Sequence, residues 1–182
     1  MNVLSVRWSG WRRVRSDDGQ SLLETAVTLP LLLAITFNLI NFSYFWFVVL
    51  ALSAAPRIGV EYASQGGSAM ESIPAPGTVD VSALVYDNVT NAIHGATTAN
   101  VTVRICTSAK GVNPVTGVAL CDTFGPPVTL SGPAPDPEAP AFVLDRVDVV
   151  YTVTPIISGS AFSVVLPSTM QFHRQVSMRS LF

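Results

Sequence analysis

Few residues in this sequence have the type and spacing to carry chemistry, and the most telling is a single carboxylate. Glu24 stands five positions after Gly19, at the entrance to a stretch, Leu29 to Ala55, that holds no Asp, Glu, Lys, Arg or His. A carboxylate in apolar surroundings is costly unless a cation meets it. Glu24 therefore either complements the positive N-terminal end of its own helix or takes an amine from elsewhere. Asn38 and Asn41 lie three apart on the same stretch, near one face of a helix, where buried amides favour helix–helix contact at about 0.6 to 2 kcal/mol each. Cys106 and Cys121 are the only cysteines. In an oxidising compartment such a pair forms a structural disulfide rather than a metal site, which needs further ligands. His94 and His173 are the only histidines, and they share no ligand-like spacing with the cysteines. Outside the apolar stretch there is no Ser-His-Asp set, zinc pattern, phosphate-cradling glycine loop or adjacent carboxylate pair. The sequence thus predicts neither an enzyme nor a cofactor, and a formal net charge of −2 predicts no nucleic-acid partner.

The elements that position these residues follow from the hydropathy pattern. Charged residues make up 12% of the 182, about half the usual 25% of a soluble domain. At about 1.5 Å per residue the stretch from Leu29 to Ala55 is long enough to cross a hydrocarbon core of about 30 Å. A cleaved signal peptide would have a shorter apolar region, about 7–15 residues, and Pro56 directly follows the small-residue run Ser53-Ala54-Ala55. Arg7, Arg12, Arg13 and Arg15 precede the span, whereas only Arg57 lies close behind it. The positive-inside rule then places the N-terminus in the cytoplasm and the chain from about Pro56 onward outside.

Residues 1–19 read as a basic cytoplasmic leader, 20–66 as a transmembrane helix with its outward extension, and 67–182 as an extracytoplasmic domain. The long helix is expected to start at Gly19, to kink at Pro30 and to bend or re-cap at Pro56. A second helix is predicted from Thr78 or Asp80, with Val81, Leu84, Val85, Val89 and Ile93 on its apolar face and Gly95 at its end. Strands are predicted over 101–106, 146–154 and 170–178, where apolar residues alternate with polar ones. Six of the thirteen prolines crowd into Pro126 to Pro140, which must be loop. The expected fold is α+β, one amphipathic helix covering an antiparallel sheet of about three strands.

Gly19-Gln20-Ser21-Leu22-Leu23-Glu24, placed after a basic leader and before a long apolar helix, resembles the processing site of type IV prepilins. With Thr28-Leu29-Pro30-Leu31-Leu32 and, past the span, Arg57-Ile58-Gly59-Val60-Glu61-Tyr62-Ala63, the chain is similar over residues 19–63 to the TadE-like family of pilus-assembly pseudopilins. It departs from that pattern at Pro56 and at the acidic pair Asp17-Asp18. The resemblance implies a minor pseudopilin of a Tad/Flp-type adhesive pilus, held in the bacterial inner membrane. A prepilin peptidase would cut after Gly19, and the new amine of Gln20, on this subunit or a neighbour, would pair with Glu24. It also implies packing against other pilin-like or Tad-assembly membrane proteins through Glu24, Pro30, Asn38 and Asn41. The competing reading is a membrane-tethered binding module or secretion-complex anchor that is never processed.

Overall fold

The computed structural model describes residues 17–64, 74–139, 141–157 and 167–180. Helix α1, Asp17–Ser64, runs as one element through both Pro30 and Pro56, beginning two residues before the expected start. Residues 1–16, which hold the basic leader, and Gly66-Gly67, where the helix was expected to end, lie outside the described residues. Helix α2 spans Thr78–Ala92, and four strands follow: β1 Val101–Val112, β2 Ala119–Phe124, β3 Val143–Val153 and β4 Met170–Ser180. They form one antiparallel sheet in the order β2-β1-β3-β4. The three expected strands are therefore β1, β3 and β4, and the sheet has a fourth at its edge.

Both helices cover one face of the sheet. Val101, Val103 and Ile105 of β1 and Val147, Val149, Tyr151 and Val153 of β3 point into a core that they share with Val81, Val85, Val89 and Ile93 of α2. The expected side-chain cap of α2 is not formed. Gly77 occupies the N-cap without a side-chain hydrogen bond, and the Thr78 hydroxyl instead donates to Asp122 Oδ2 of β2 at 2.6 Å.

Helix α1 divides into two halves with different surroundings. From Asn41 to Ala63 one face is buried against the sheet and α2, with Phe45, Val48, Leu52, Ala55 and Val60 in the core. From Leu22 to Ile35 its large apolar side chains are exposed, as are Leu39 and Ile40, while Ala34, Phe37 and Asn38 are partly covered. The continuous apolar run thus serves two purposes: its N-terminal part projects from the domain and its C-terminal part is the domain's central core element. Pro56 is buried in that packed half, so tertiary contacts on both sides hold the helix through the position where proline removes a backbone hydrogen bond.

Gly59 sets how closely the layers approach. A Cβ built there would lie 2.5 Å from Val85 Cγ2 and 3.3 Å from Val147 Cγ1. Gly59→Ala is therefore expected to destabilise by about 1–3 kcal/mol, the usual range for overpacking a dense core. Denaturant unfolding of the full chain in detergent reads this as a lower midpoint. Adding Val85→Ala to Gly59→Ala should recover part of the loss, because it removes the methyl that clashes.

Candidate functional site

The residues singled out from sequence fall into three places along α1 and one in the sheet. At the tip, Gly19 lies in the first turn, and apart from its own helix backbone and chain neighbours no described atom comes within 4 Å of where a side chain would begin. Gln20 Nε2 donates to Glu24 Oε1 across a long 3.4 Å, which leaves the carboxylate exposed and only weakly engaged. No described residue of the domain approaches this tip, so the Gly19–Gln20 peptide and Glu24 are presented outward together.

Along the projecting shaft, polar side chains are bonded back to the helix that carries them. Thr25 donates to the Ser21 carbonyl at 2.9 Å, and at 2.8 Å Thr28 donates to Glu24, Thr36 to Leu32, Asn38 to Ala34 and Ser43 to Leu39. Each donor thereby finds an acceptor without water, which is what a polar group on a helix in an apolar medium requires. This helix is long and apolar enough to cross a membrane. Pro30 sits in this section with the helix continuous around it.

At the junction of shaft and domain, Asn41 is fully buried and clamps the chain leaving β3. Its Nδ2 donates to the Ile157 carbonyl at 3.1 Å, and its Oδ1 accepts the Ile157 N–H at 3.0 Å. The amide expected to reach a neighbouring helix is thus engaged by the backbone of its own chain. Asn38, one turn earlier, keeps a buried Oδ1 with no hydrogen-bond partner. Close by, the Tyr44 hydroxyl donates to the His94 carbonyl at 3.3 Å, and Phe45 meets Phe172 edge-on at 6.3 Å.

In the sheet, Cys106 and Cys121 face each other across β1 and β2, with sulfurs 2.09 Å apart. Among the described residues no group of three His, Cys, Asp or Glu side chains could hold a metal ion.

Sequence reading missed a buried ion cluster on the sheet face opposite the helices. Asp148 is completely buried and accepts five hydrogen bonds. Its Oδ2 takes Arg104 Nε at 3.1 Å, Arg104 Nη2 at 2.9 Å and Arg146 Nε at 3.0 Å. Its Oδ1 takes Arg146 Nη2 at 2.7 Å and pairs with His173 Nε2 at 2.8 Å. Strand alternation turns Arg104 and Arg146 to the face away from the helices, and the proline-rich connection lies across that face. Carbonyls of Leu130 and Ser131 accept from Arg104 at 3.4 and 2.6 Å, the Gly132 carbonyl accepts from Arg146 at 3.4 Å, and Arg146 also donates to Gln175 Oε1. The available signal was in β3, where Arg146 and Asp148 stand two apart and so share a face with Arg104 of the paired strand.

Burial is the largest single influence on the Asp148 carboxyl and pushes its pKa upward. The hydrogen bonds from Arg146, His173 and Arg104 outweigh it and hold the group below the ordinary carboxylate value. Asp145, three residues earlier, behaves oppositely. Burial raises its pKa, and the Ser108 N–H, donating to Oδ1 at 2.7 Å, only partly offsets that, while Oδ2 has no partner. A shallow, open cleft of about 520 Å³ lies beside β2, lined by Asn113, Thr116, Val118, Leu120, Pro133 and Pro135 among others. None of those six side chains titrates or acts as an activated nucleophile, so the cleft offers contact surface rather than acid–base chemistry. Comparison of the chain with protein-family models, with curated proteins and with solved structures finds no match.

Proposed function

We propose that this chain is a pilin-like membrane subunit, a minor pseudopilin whose projecting shaft spans the bacterial inner membrane. Its tip faces the cytoplasm and its domain lies outside, and it takes part in assembly of a Tad/Flp-type adhesive pilus. The observation that carries this reading is the division of α1 into a bare apolar shaft and a packed half, with Gly19 and Glu24 at the bare end. A span from about Ser21 to Ile40 has a length of about 30 Å, the thickness of a hydrocarbon core. In this reading the membrane segment lies nearer the N-terminus than the apolar run alone suggests, and the packing of the later part of the run against the sheet supports it. The self-satisfied hydroxyls of the shaft support the same placement.

In this reading a prepilin peptidase removes residues 1–19, and the new amine of Gln20, on the same or a neighbouring subunit, becomes the cation that Glu24 lacks. Relieved of its leader, the shaft is free to pack with other pilin-like helices. The carboxylate at the tip favours register with a neighbour's amine over lipid contact.

Gly19 allows a clean test, since open space surrounds it and a larger residue leaves the fold intact. Co-expressed with a prepilin peptidase in bacterial membranes, the full chain should mature to a form whose first residue is Gln20, read by N-terminal sequencing and intact mass. Gly19→Leu should keep the leader. If the wild-type chain retains Met1, or if Gly19→Leu matures to the same size, the pilin-like reading fails and a permanently tethered module replaces it.

A further inference from the structure

The end of the domain from which α1 projects is defined by the strand register. The first residue of β1, the last of β3 and the first of β4 lie together there, and Phe124 of β2 pairs with Val103 close by. The described residues that build this end, 92–103, 125–127, 152–157 and 167–172, contain no Asp, Glu, Lys or Arg, and His94 is the one titratable side chain among them. Charged groups sit elsewhere, with Lys110, Glu138 and Arg179 toward the opposite end of the sheet. On this uncharged rim Ile156 is 62% exposed, and its neighbour Ile157 is fixed to the shaft by the two hydrogen bonds to Asn41. Ile156 is thereby held at a set height on α1, level with the point where the helix becomes apolar all round. Leu39 and Ile40 lie just below that height, and Trp46 and Phe47 lie just above it on the helix's outward face, all exposed.

We infer that this rim rests in the headgroup layer of the bilayer, with Ile156 inserted as an apolar anchor beside the shaft. The occupant is a lipid surface because the rim is continuous with an all-round apolar helix and carries no charge to solvate. Its Ser, Thr and Asn groups suit the partly wet interface, and Trp46 and Phe47 are of the types enriched there. An uncharged rim has no electrostatic preference for anionic lipid, so the contact is set by hydrophobic insertion and not by headgroup charge. The seating fixes the depth and tilt of the domain, which the helix alone leaves undetermined. The inference rests on the spanning orientation proposed above.

The test uses the full chain with single cysteines at Leu31, Ile156 or Val115, each labelled with an environment-sensitive fluorophore. The native cysteines are bonded to each other and do not react. The variants are reconstituted into phosphatidylcholine vesicles with brominated acyl chains, which quench only probes that reach the lipid. Val115, 91% exposed in the turn at the opposite end, is the dry control. The expected result is loss of emission at Leu31 and at Ile156 with none at Val115, unchanged by salt or by added phosphatidylglycerol. Quenching at Leu31 with Ile156 as bright as Val115 overturns the rim contact and leaves the span standing. No quenching at Leu31 overturns the span, and the rim contact with it. Quenching at Ile156 that disappears in high salt overturns the uncharged seating.

Discussion

Asp148→Asn is expected to cost about 3 to 5 kcal/mol of folding stability, the range for breaking a buried ion pair from one side. The substitution keeps the shape of the side chain but removes the one acidic partner, among the described residues, of two guanidiniums that are 10% and 8% exposed. Both would remain buried with charge uncompensated, and the Leu130, Ser131 and Gly132 carbonyls are too few to replace a carboxylate. Denaturant unfolding of the full chain in detergent measures the loss, and proteolysis within 126–135 should accelerate because the anchors of that connection are gone. A second variant separates the two halves of the effect. Replacing Arg104, Arg146 and Asp148 together by Met, Met and Leu leaves no orphaned charge, and it should cost less than Asp148→Asn alone. A triple variant as unstable as the single one would show that the cluster's hydrogen bonds, and not the orphaned charge, carry the stability.

The same group sets an acid limit. Its pKa in the folded protein is depressed below the ordinary 3.8. A depressed acid contributes stability that is present above its unfolded value and is lost as pH falls through the folded one. Asp145 has the opposite sign, since its folded pKa is raised above 3.8. Its contribution is present below the unfolded value and is lost as pH rises through the raised folded value. Stability against pH should therefore fall steeply on the acid side in the wild-type chain, and that limb should flatten in Asp148→Asn.

How much of this was legible in the sequence depends on what each residue type distinguishes. The alternation of Val101, Val103 and Ile105 with Thr102 and Arg104 specifies a strand whatever covers it, and β1 is there. It does not specify what covers the second face, which is why Arg104 reads as solvated until the carbonyls of a proline-rich segment close over it. Strand β2 carries no usable pattern. It is a six-residue edge strand with only Ala119 buried, so its pairing with β1 leaves little trace in apolar spacing. The long apolar run misleads for a related reason. Val48, Leu52, Ala55 and Val60 are residues that lipid and a sheet core accept equally, so composition marks an apolar environment and not its source. Only the packing shows where the shaft stops and the core begins. The Gly19–Glu24 spacing at the tip is local, so the sequence alone displays it, and the fold adds only that no described residue of the domain packs there.

Removing the disulfide, as Cys106→Ala with Cys121→Ala, is expected to lower stability by about 3 kcal/mol, the chain-entropy value for a loop of about 15 residues. For a chain of this size that is a fall of about 6 to 12 °C in Tm. The effect should be local before it is global. Strand β2 lies at the sheet edge and pairs only with β1, in a register that places Cys106 directly opposite Cys121. Its other ties are the packing of Phe124 against the core, the burial of Ala119, and partly exposed contacts of Lys110 with Asp122 and the Cys121 carbonyl and of Thr78 with Asp122. Exposed ion pairs contribute about 0 to 1 kcal/mol, so once the bridge is gone the strand depends chiefly on its ladder with β1 and on Phe124 and Ala119 at its two ends. Hydrogen exchange should then lose protection over 119–124 at denaturant concentrations where β3 and β4 remain protected. A freed β2 also uncovers the edge of β1, whose unpaired N–H and C=O groups would template pairing with another chain. The double variant should accordingly self-associate with rising concentration, as measured by light scattering. Equal Tm and equal protection in the two proteins would mean that β2 is held by its backbone ladder and by the packing of Phe124 and Ala119, without help from the bridge.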